Sequence, residues 1–363
     1  MVPSTPKQLV LLGGGHSHAL VIKYWQKVRN SPAQLTLISD NKTTPYSGMV
    51  PGYISGFYDR SECFIDLERL CQRSGVNFII DRVNNLDLEN QLVKTNDWAI
   101  KFDLVSLDIG SSPFMPSNIG GDGVIPVKPI GYFLEQWDKI KDSKSPLRIA
   151  IVGGGVGGVE LAFNTRATLK LSDIHLFQKN DRLLPGHNQW VQQTLYQKLT
   201  KLGIKVYLNS PVIHVENHLL TTRSGFSLTC DFIFWVTQAT GAPWLRSSGL
   251  ALDDRGFILV NNCLQSLSHP RVFAAGDIAT ILDCPLPKAG VVAVRQALPL
   301  YHNLLNGLAQ RPLKPYQPQS NYLSLIGTGD GRATASWGKF GAEGRWLWHL
   351  KDRIDRGFMA GLK

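Results

Sequence analysis

The chain has 363 residues, 43% of them hydrophobic and 18% charged, with a formal net charge of +10. That length holds two domains with sizeable cores, and no apolar run is long enough to be read as a membrane span. The basic excess reads as a solvated face, an attraction for cofactor phosphates or an attraction for a lipid surface; nucleic acid is excluded as a partner because no binding motif accompanies the charge.

The opening "MVPSTPKQ" is too short and polar for a signal peptide. An apolar strand then runs into glycines and a helix, "LVLLGGGHSHAL". A dinucleotide-binding turn is written G-x-G-x-x-G: the first glycine for a tight turn, the second for close approach to a pyrophosphate, the third for helix–strand packing. Gly13 and Gly15 fill the first two places and His18 stands at the third. Asp40 closes the next apolar strand, "QLTLISD", where an acidic residue holds a ribose hydroxyl. A polar three-strand meander and a buried strand follow, ending in the turn "DIGSSP".

The same order then recurs. "LRIAIVGGGVGGVELA" places Gly153, Gly155 and Gly158 in all three positions, and a second meander and buried strand end in "ATGAP". An accidental glycine cluster would not bring the same downstream order twice, so both turns are nucleotide sites. "VFAAGD" and a long helix come next and read as a return into the first domain; "RPLKPYQPQS" is a proline-rich linker. The tail reads as two or three strands and an amphipathic helix, with Trp346, Leu347, Leu350, Ile354 and Phe358 at helical spacing. The expected fold is α/β: two Rossmann-like domains with β-meanders and a small C-terminal segment. The expected boundaries are 1–116 with 240–315, then 117–239, then 316–363.

Five cysteines, none in a C-x-x-C pair, suggest reduced thiols and a cytoplasmic protein. His16 and His18 have H-x-H spacing, but no Cys or acidic cluster joins them; a packing or cofactor-neighbour role is expected and no metal.

The two glycine turns, "DIGSSP", "ATGAP" and "VFAAGD", in this order, resemble the two-dinucleotide-binding-domain flavoproteins of the glutathione-reductase-like fold. The resemblance implies FAD at the first turn and NADH or NADPH at the second. The implied FAD residues are Gly13, Gly14, Gly15, His16, His18, Asp40, Lys42, Val83, Gly110, Gly276, Asp277, Lys288, Gly290 and Val291, with Asp277 on the ribityl chain and the helix near Gly290 pointing at the flavin ring. The implied NAD(P)H residues are Gly153, Gly155, Gly158, Gln178, Lys179 and Gly241.

Disulfide reductases of this fold carry a C-x-x-x-x-C pair, which this chain lacks; Cys63 and Cys71 are expected to be structural. The chain looks most like the type II NADH dehydrogenase branch, which makes Glu160 the catalytic candidate. More narrowly, "GGGHSHAL", "PYSGMVPGYISGFY", "PKAGVVAVRQ" and "LKDRIDRGFM" resemble the dehydrogenase-like domain fused to selenide, water dikinase, so a fused kinase-like domain is an expected partner.

Two departures stand out. Val291 and Arg295 occupy positions where the branch carries glutamines facing quinone, which leaves the acceptor open between quinone and another molecule; Arg295 is read equally as a surface residue or as a lure for an anionic acceptor. Gln178 replaces the acidic residue of an NAD site, and Lys179 and Arg182 follow, so NADPH is admitted. The activity expected is hydride transfer from NAD(P)H to FAD; the alternative is a flavin-binding regulatory module. The tail's tryptophans and basic residues are read as core packing or docking on a partner domain ahead of a peripheral membrane contact.

Overall fold

In the computed structural model the described residues are 6–28, 33–237, 239–319 and 322–363. Residues 1–5, the start of the stretch read as too polar for a leader, lie outside them.

Two five-stranded parallel sheets share one plan. The first runs Val272–Ala274, Leu104–Leu107, Lys7–Leu12, Ala33–Ser39, Asn77–Ile80; the second runs Val124–Pro126, Phe232–Trp235, Arg148–Val152, Asp173–Phe177, Lys205–Tyr207. Such strands are covered on both faces, which is why "LVLL" and "IAIV" are continuous apolar runs rather than alternating ones. Leu9, Leu11 and Leu12 are wholly buried, as are Ile149 and Ile151. Each fully buried side chain of this size contributes about 1.5–3 kcal/mol.

Each sheet carries an antiparallel meander: Val83–Asp87, Leu92–Thr95 and Ala99–Lys101 in the first half, Val212–Glu216, Leu219–Thr222 and Ser227–Thr229 in the second. Both have a register shift in the first pair, between Val83 and Asn85 and between Val212 and His214. The edge strand Val272–Ala274 pairs with Leu104–Leu107, so the chain does return to its first sheet. The helix Gly290–Leu308 then packs on the helix His16–Trp25.

The tail forms three strands, Ser324–Gly327, Ala333–Trp337 and Phe340–Gly344, and the helix Arg345–Ala360. Its buried face differs from the expected stripe. Trp346 and Ile354 are 62% and 50% exposed, and the buried positions are Leu347, Trp348, Lys351, Asp355 and Met359. Apolar spacing could not locate a face that buries two charges. They are tolerated because they pair: Lys351 Nζ lies 2.6 Å from Asp355 Oδ2, Lys351 also donates to Gly48 O, and Asp355 accepts from the Tyr46 hydroxyl.

Candidate functional site

The first turn is built where no side chain fits. Gly13 has φ +88°, and a Cβ there would stand 2.5 Å from Asp108 O; one at Gly14 would strike Leu67 at 2.3 Å, and one at Gly15 the Asp108 carboxyl carbon at 2.2 Å. The helix His16–Trp25 starts on Gly15 without a side-chain cap. The N–H groups of Ser17 and His18 donate to Asp108 Oδ2 at 2.8 and 3.2 Å. Those of Gly14 and His16 make no hydrogen bond to a described residue, which leaves donors at a positive helix end for an anion.

His18 does not face a cofactor. Its ring is buried, with Nδ1 2.8 Å from Gly13 O and Nε2 2.8 Å from Ser106 Oγ. Burial pushes its pKa down to about 4, so the ring is neutral: Nδ1–H donates to the carbonyl and Nε2 accepts from the hydroxyl. At the equivalent place Gly158 lets the helix approach until a Cβ would be 1.8 Å from Gly153 O. The imidazole thus replaces close packing with a hydrogen bond, and the expectation of His18 as an FAD residue is corrected: its ring braces the turn from behind. His16 stays at the front, edge-on to Tyr46 at 5.2 Å and Phe358 at 6.0 Å. A Cβ on Gly290 would lie 3.5 Å from its ring and 2.9 Å from Ser47 Oγ.

Asp40 is exposed and accepts from the Asn41 side chain at 2.9 Å. Lys42 pairs with Glu68 at 3.3 Å on the surface. Val83 begins the first meander opposite Thr95, and Gly110 turns with φ +70° beside open space. Asp277 accepts from Ser111 Oγ at 3.1 Å and pairs with Lys128, a residue the sequence did not single out. The Gly276 N–H donates to Gln296 at 2.7 Å. Lys288 is turned to protein rather than outward: it donates to Ala279 O and Thr280 Oγ1, stands 4.1 Å above the Phe257 ring, and burial lowers its pKa to about 8. Gly290 opens a 19-residue helix, again without a side-chain cap. Val291 is half-buried and Arg295 is exposed. The unbonded Gly14 and His16 N–H groups, the start of the helix at Gly290, glycines without room for a Cβ and Asp277 are a donor and acceptor set that fits FAD.

At the second turn Gly153 has φ +127° and Gly155 caps the helix Val156–Thr168. Gln178 is buried, and its side chain is committed. Oε1 accepts from Gly154 N–H at 3.4 Å and Lys179 N–H at 3.1 Å, and Nε2 donates to Arg182 O at 3.0 Å. The loop does fold back, but the Arg182 guanidinium is held by Asp181 at 2.9 Å. Lys179 is exposed. Gly241 is a packing glycine: a Cβ there would fall 1.7 Å from Gly256 O.

Glu160 leaves the first turns of that helix and is half-buried. Its Oε1 accepts the Gly327 N–H at 2.8 Å. Burial, opposed by Lys351 and the Gly327 bond, pushes its pKa up to about 7. The tail therefore closes on Glu160 through Gly327 and on the first unit through Lys351 and Asp355. Tyr46 stacks on Phe358 at 4.3 Å in the same cluster. Spacing gave no signal for Tyr46, Lys351 or Asp355; the repeated "DIGSSP" turn did contain Asp108. Cys63 and Cys71 are free and buried, and burial raises both thiols to about 12, so neither is a redox thiol.

Residues 7–297 match the family model for pyridine nucleotide-disulphide oxidoreductases. Among curated proteins, demethylphylloquinone reductase NdbB of Synechocystis is 26% identical over 90% of this chain and 86% of its own length. Ferroptosis suppressor protein 1 of Homo sapiens is 24% identical over 91% and 89%. The 28% match to ferroptosis suppressor protein 1 of Taeniopygia guttata spans 53% of this chain and 55% of that protein. Among solved structures, sulfide:quinone oxidoreductase of Aquifex aeolicus superposes with a TM-score of 0.81 at 17% identity, covering 98% of this chain and 91% of that one. NDH2 of Plasmodium falciparum, in complex with NADH, gives 0.79 at 14% identity, covering 98% and 97%. At these identities the superpositions speak for the fold. The chain belongs to the pyridine nucleotide-disulphide oxidoreductase family and is an FAD-dependent NAD(P)H oxidoreductase.

Proposed function

We propose that this family member passes reducing equivalents from NAD(P)H at Gly153, Gly155 and Gly158 to a quinone-class acceptor, with FAD at Gly13, Gly14 and Gly15. FAD, when bound, supplies hydride acceptance and onward electron transfer. The chain's own part is orientation and charge. The two helix ends hold phosphates, Asp277 holds a sugar hydroxyl chain, and Glu160 is the titrating group at the nicotinamide side. The observation that carries this reading is the half-buried Glu160 carboxyl, fixed by Gly327 N–H and poised near neutrality. Glu160→Gln keeps size and hydrogen bonding. Flavin content is expected to hold while rapid-mixing reduction by NAD(P)H slows; unchanged kinetics would remove Glu160 from the step.

A quinone acceptor is supported by the name of NdbB; Val291 and Arg295, at the glutamine positions, do not argue for it. No helix among the described residues is long and apolar enough to cross a membrane. The reading for a lipid-soluble acceptor is a cytoplasmic protein with peripheral membrane contact. Its support is the exposure of Trp337, Phe340 and Trp346, at 57%, 75% and 62%, in a segment that also carries Lys339 and Arg345. NADPH alongside NADH is supported by the exposed Lys179. The resemblance to a dehydrogenase-like domain fused to selenide, water dikinase keeps a kinase-like partner within the proposal. A purely regulatory flavin module would bind FAD without turnover, and a steady-state NAD(P)H oxidation assay with a quinone and a dye separates the two.

A further inference from the structure

The two turns follow one plan, so their differences carry information. Asp108 N–H donates to Leu12 O at 2.9 Å, and Val236 N–H donates to Val152 O at 3.0 Å. Asp108 and Val236 are therefore equivalent positions, each following the strand beside its glycine turn. Val236 shows that closing such a turn needs no charge. The first turn nevertheless carries a carboxyl group there, and Asp108 is only 3% exposed.

Asp108 occupies a specific place. Its Oδ2 accepts the Ser17 and His18 N–H groups of the first helix end. A Cβ on Gly276 would stand 2.3 Å from its Oδ1, so the carboxyl is wedged between the glycine turn and the turn that carries Asp277. The groups facing it do not neutralise it. Asp277 repels it, and Lys128 is spent on Asp277. The His18 ring is neutral and bonded to Gly13 and Ser106. No cation pairs with Asp108 among the described residues. Ser17 Oγ donates to Ala293 O at 2.8 Å. The Ser17 side chain and the two N–H groups favour the carboxylate, while burial and the neighbouring Asp277 oppose it. Burial pushes the carboxyl up to about 7, so both forms are within reach near neutral pH.

We propose that Asp108 is a positioning residue that couples occupancy of the first turn to the uptake of one proton. Before binding, its carboxylate holds the positive helix end as an anion. The dinucleotide phosphates bring negative charge to the same helix end. Asp108 then takes a proton from solvent on Oδ1 and keeps the Ser17 and His18 N–H bonds through Oδ2. The bonds that hold the turn survive while the like charge disappears.

The inference rests on the reading that the first turn holds FAD, and the experiment separates the two. Apoprotein is titrated with FAD by calorimetry at pH 8 in buffers of different ionisation enthalpy. Close to one proton is expected to be taken up by the wild type and none by Asp108→Asn. Above neutrality the wild-type Kd should weaken by up to tenfold per pH unit, by proton linkage, and that of the variant should stay flat. Asp108→Val, which installs the residue of the second turn, is the alternative should the amide fail to fold, and it too should lose the proton uptake. FAD binding with no net proton uptake by the wild type, or equal uptake by the variants, overturns the proposal. Absence of FAD binding overturns the site reading instead.

Discussion

Glu160→Gln should make the protein more stable at alkaline pH while slowing it. The Glu160 carboxyl has a pKa of about 7 in the folded protein against 4.5 for the free side chain. Between those values the folded state holds more protons than the unfolded state, so stability falls as pH rises through the window. At about 1.4 kcal/mol per pH unit the deficit reaches about 3 kcal/mol and is complete above pH 7. Glutamine has no charge to desolvate and can still accept the Gly327 N–H at 2.8 Å. Its advantage should be near zero at pH 4.5, grow through neutrality and level off above it. Urea unfolding of both proteins at pH 5, 6, 7 and 8.5, with flavin content matched, measures the difference. A variant less stable than wild type at pH 8.5, or a difference that ignores pH, would refute the assignment of a strained carboxyl. A group that weakens the fold at working pH, and whose removal costs rate, is held for its chemistry.

His18→Ala strands Gly13 O and Ser106 Oγ in the interior; at about 1–3 kcal/mol for each buried group left unpaired, a loss of about 3 kcal/mol is expected in denaturant unfolding, and a loss below 1 kcal/mol would deny the brace. Gln178→Glu replaces the donor to Arg182 O with an acceptor and adds a charge beside Lys179. The NADPH rate should fall far more than the NADH rate in flavin-reduction assays, and an unmoved ratio sinks the charge argument. With a thiol reagent in the native state, the exposed Cys284 should react first and Cys63, Cys71 and Cys230 last, since burial raises those three to about 12. Cys284→Ser should abolish the fast phase, and fast labelling of Cys63 would contradict its burial.

The doubled glycine turn and its downstream order were legible because backbone constraint is written in residue type: only glycine tolerates a Cβ site 1.8 Å from a carbonyl oxygen. The paired sheets and meanders followed from apolar runs and their spacing. What escaped was polar and long-range. Lys351 and Asp355 spoil an apolar stripe, so spacing moved the buried face of the last helix onto Trp346 and Ile354. Lys128 reaches Asp277 across 149 positions of sequence. His18 looked like a defect in a motif, because its value lies in a partner, Ser106, that only the fold brings near. Gln178 looked like a missing charge and is a strut for the loop that follows it.

The return of Val272–Ala274 to the first sheet sets an order of assembly. During synthesis the strand Leu104–Leu107 emerges with one edge unpaired, and the whole second unit is made before its neighbour arrives. The helix Gly290–Leu308, whose start completes the first site, is finished only when residue 308 has been added. At about 5–20 residues per second the stretch from residue 107 to residue 308 takes roughly 10–40 s. Throughout that interval the second unit, contiguous in the chain, can fold, while the first waits with an apolar strand edge exposed, the kind of edge that invites pairing with another chain. Cofactor loading is consequently a late event. A ribosome stalled between residues 240 and 270 would carry a folded nicotinamide half and a sticky flavin half.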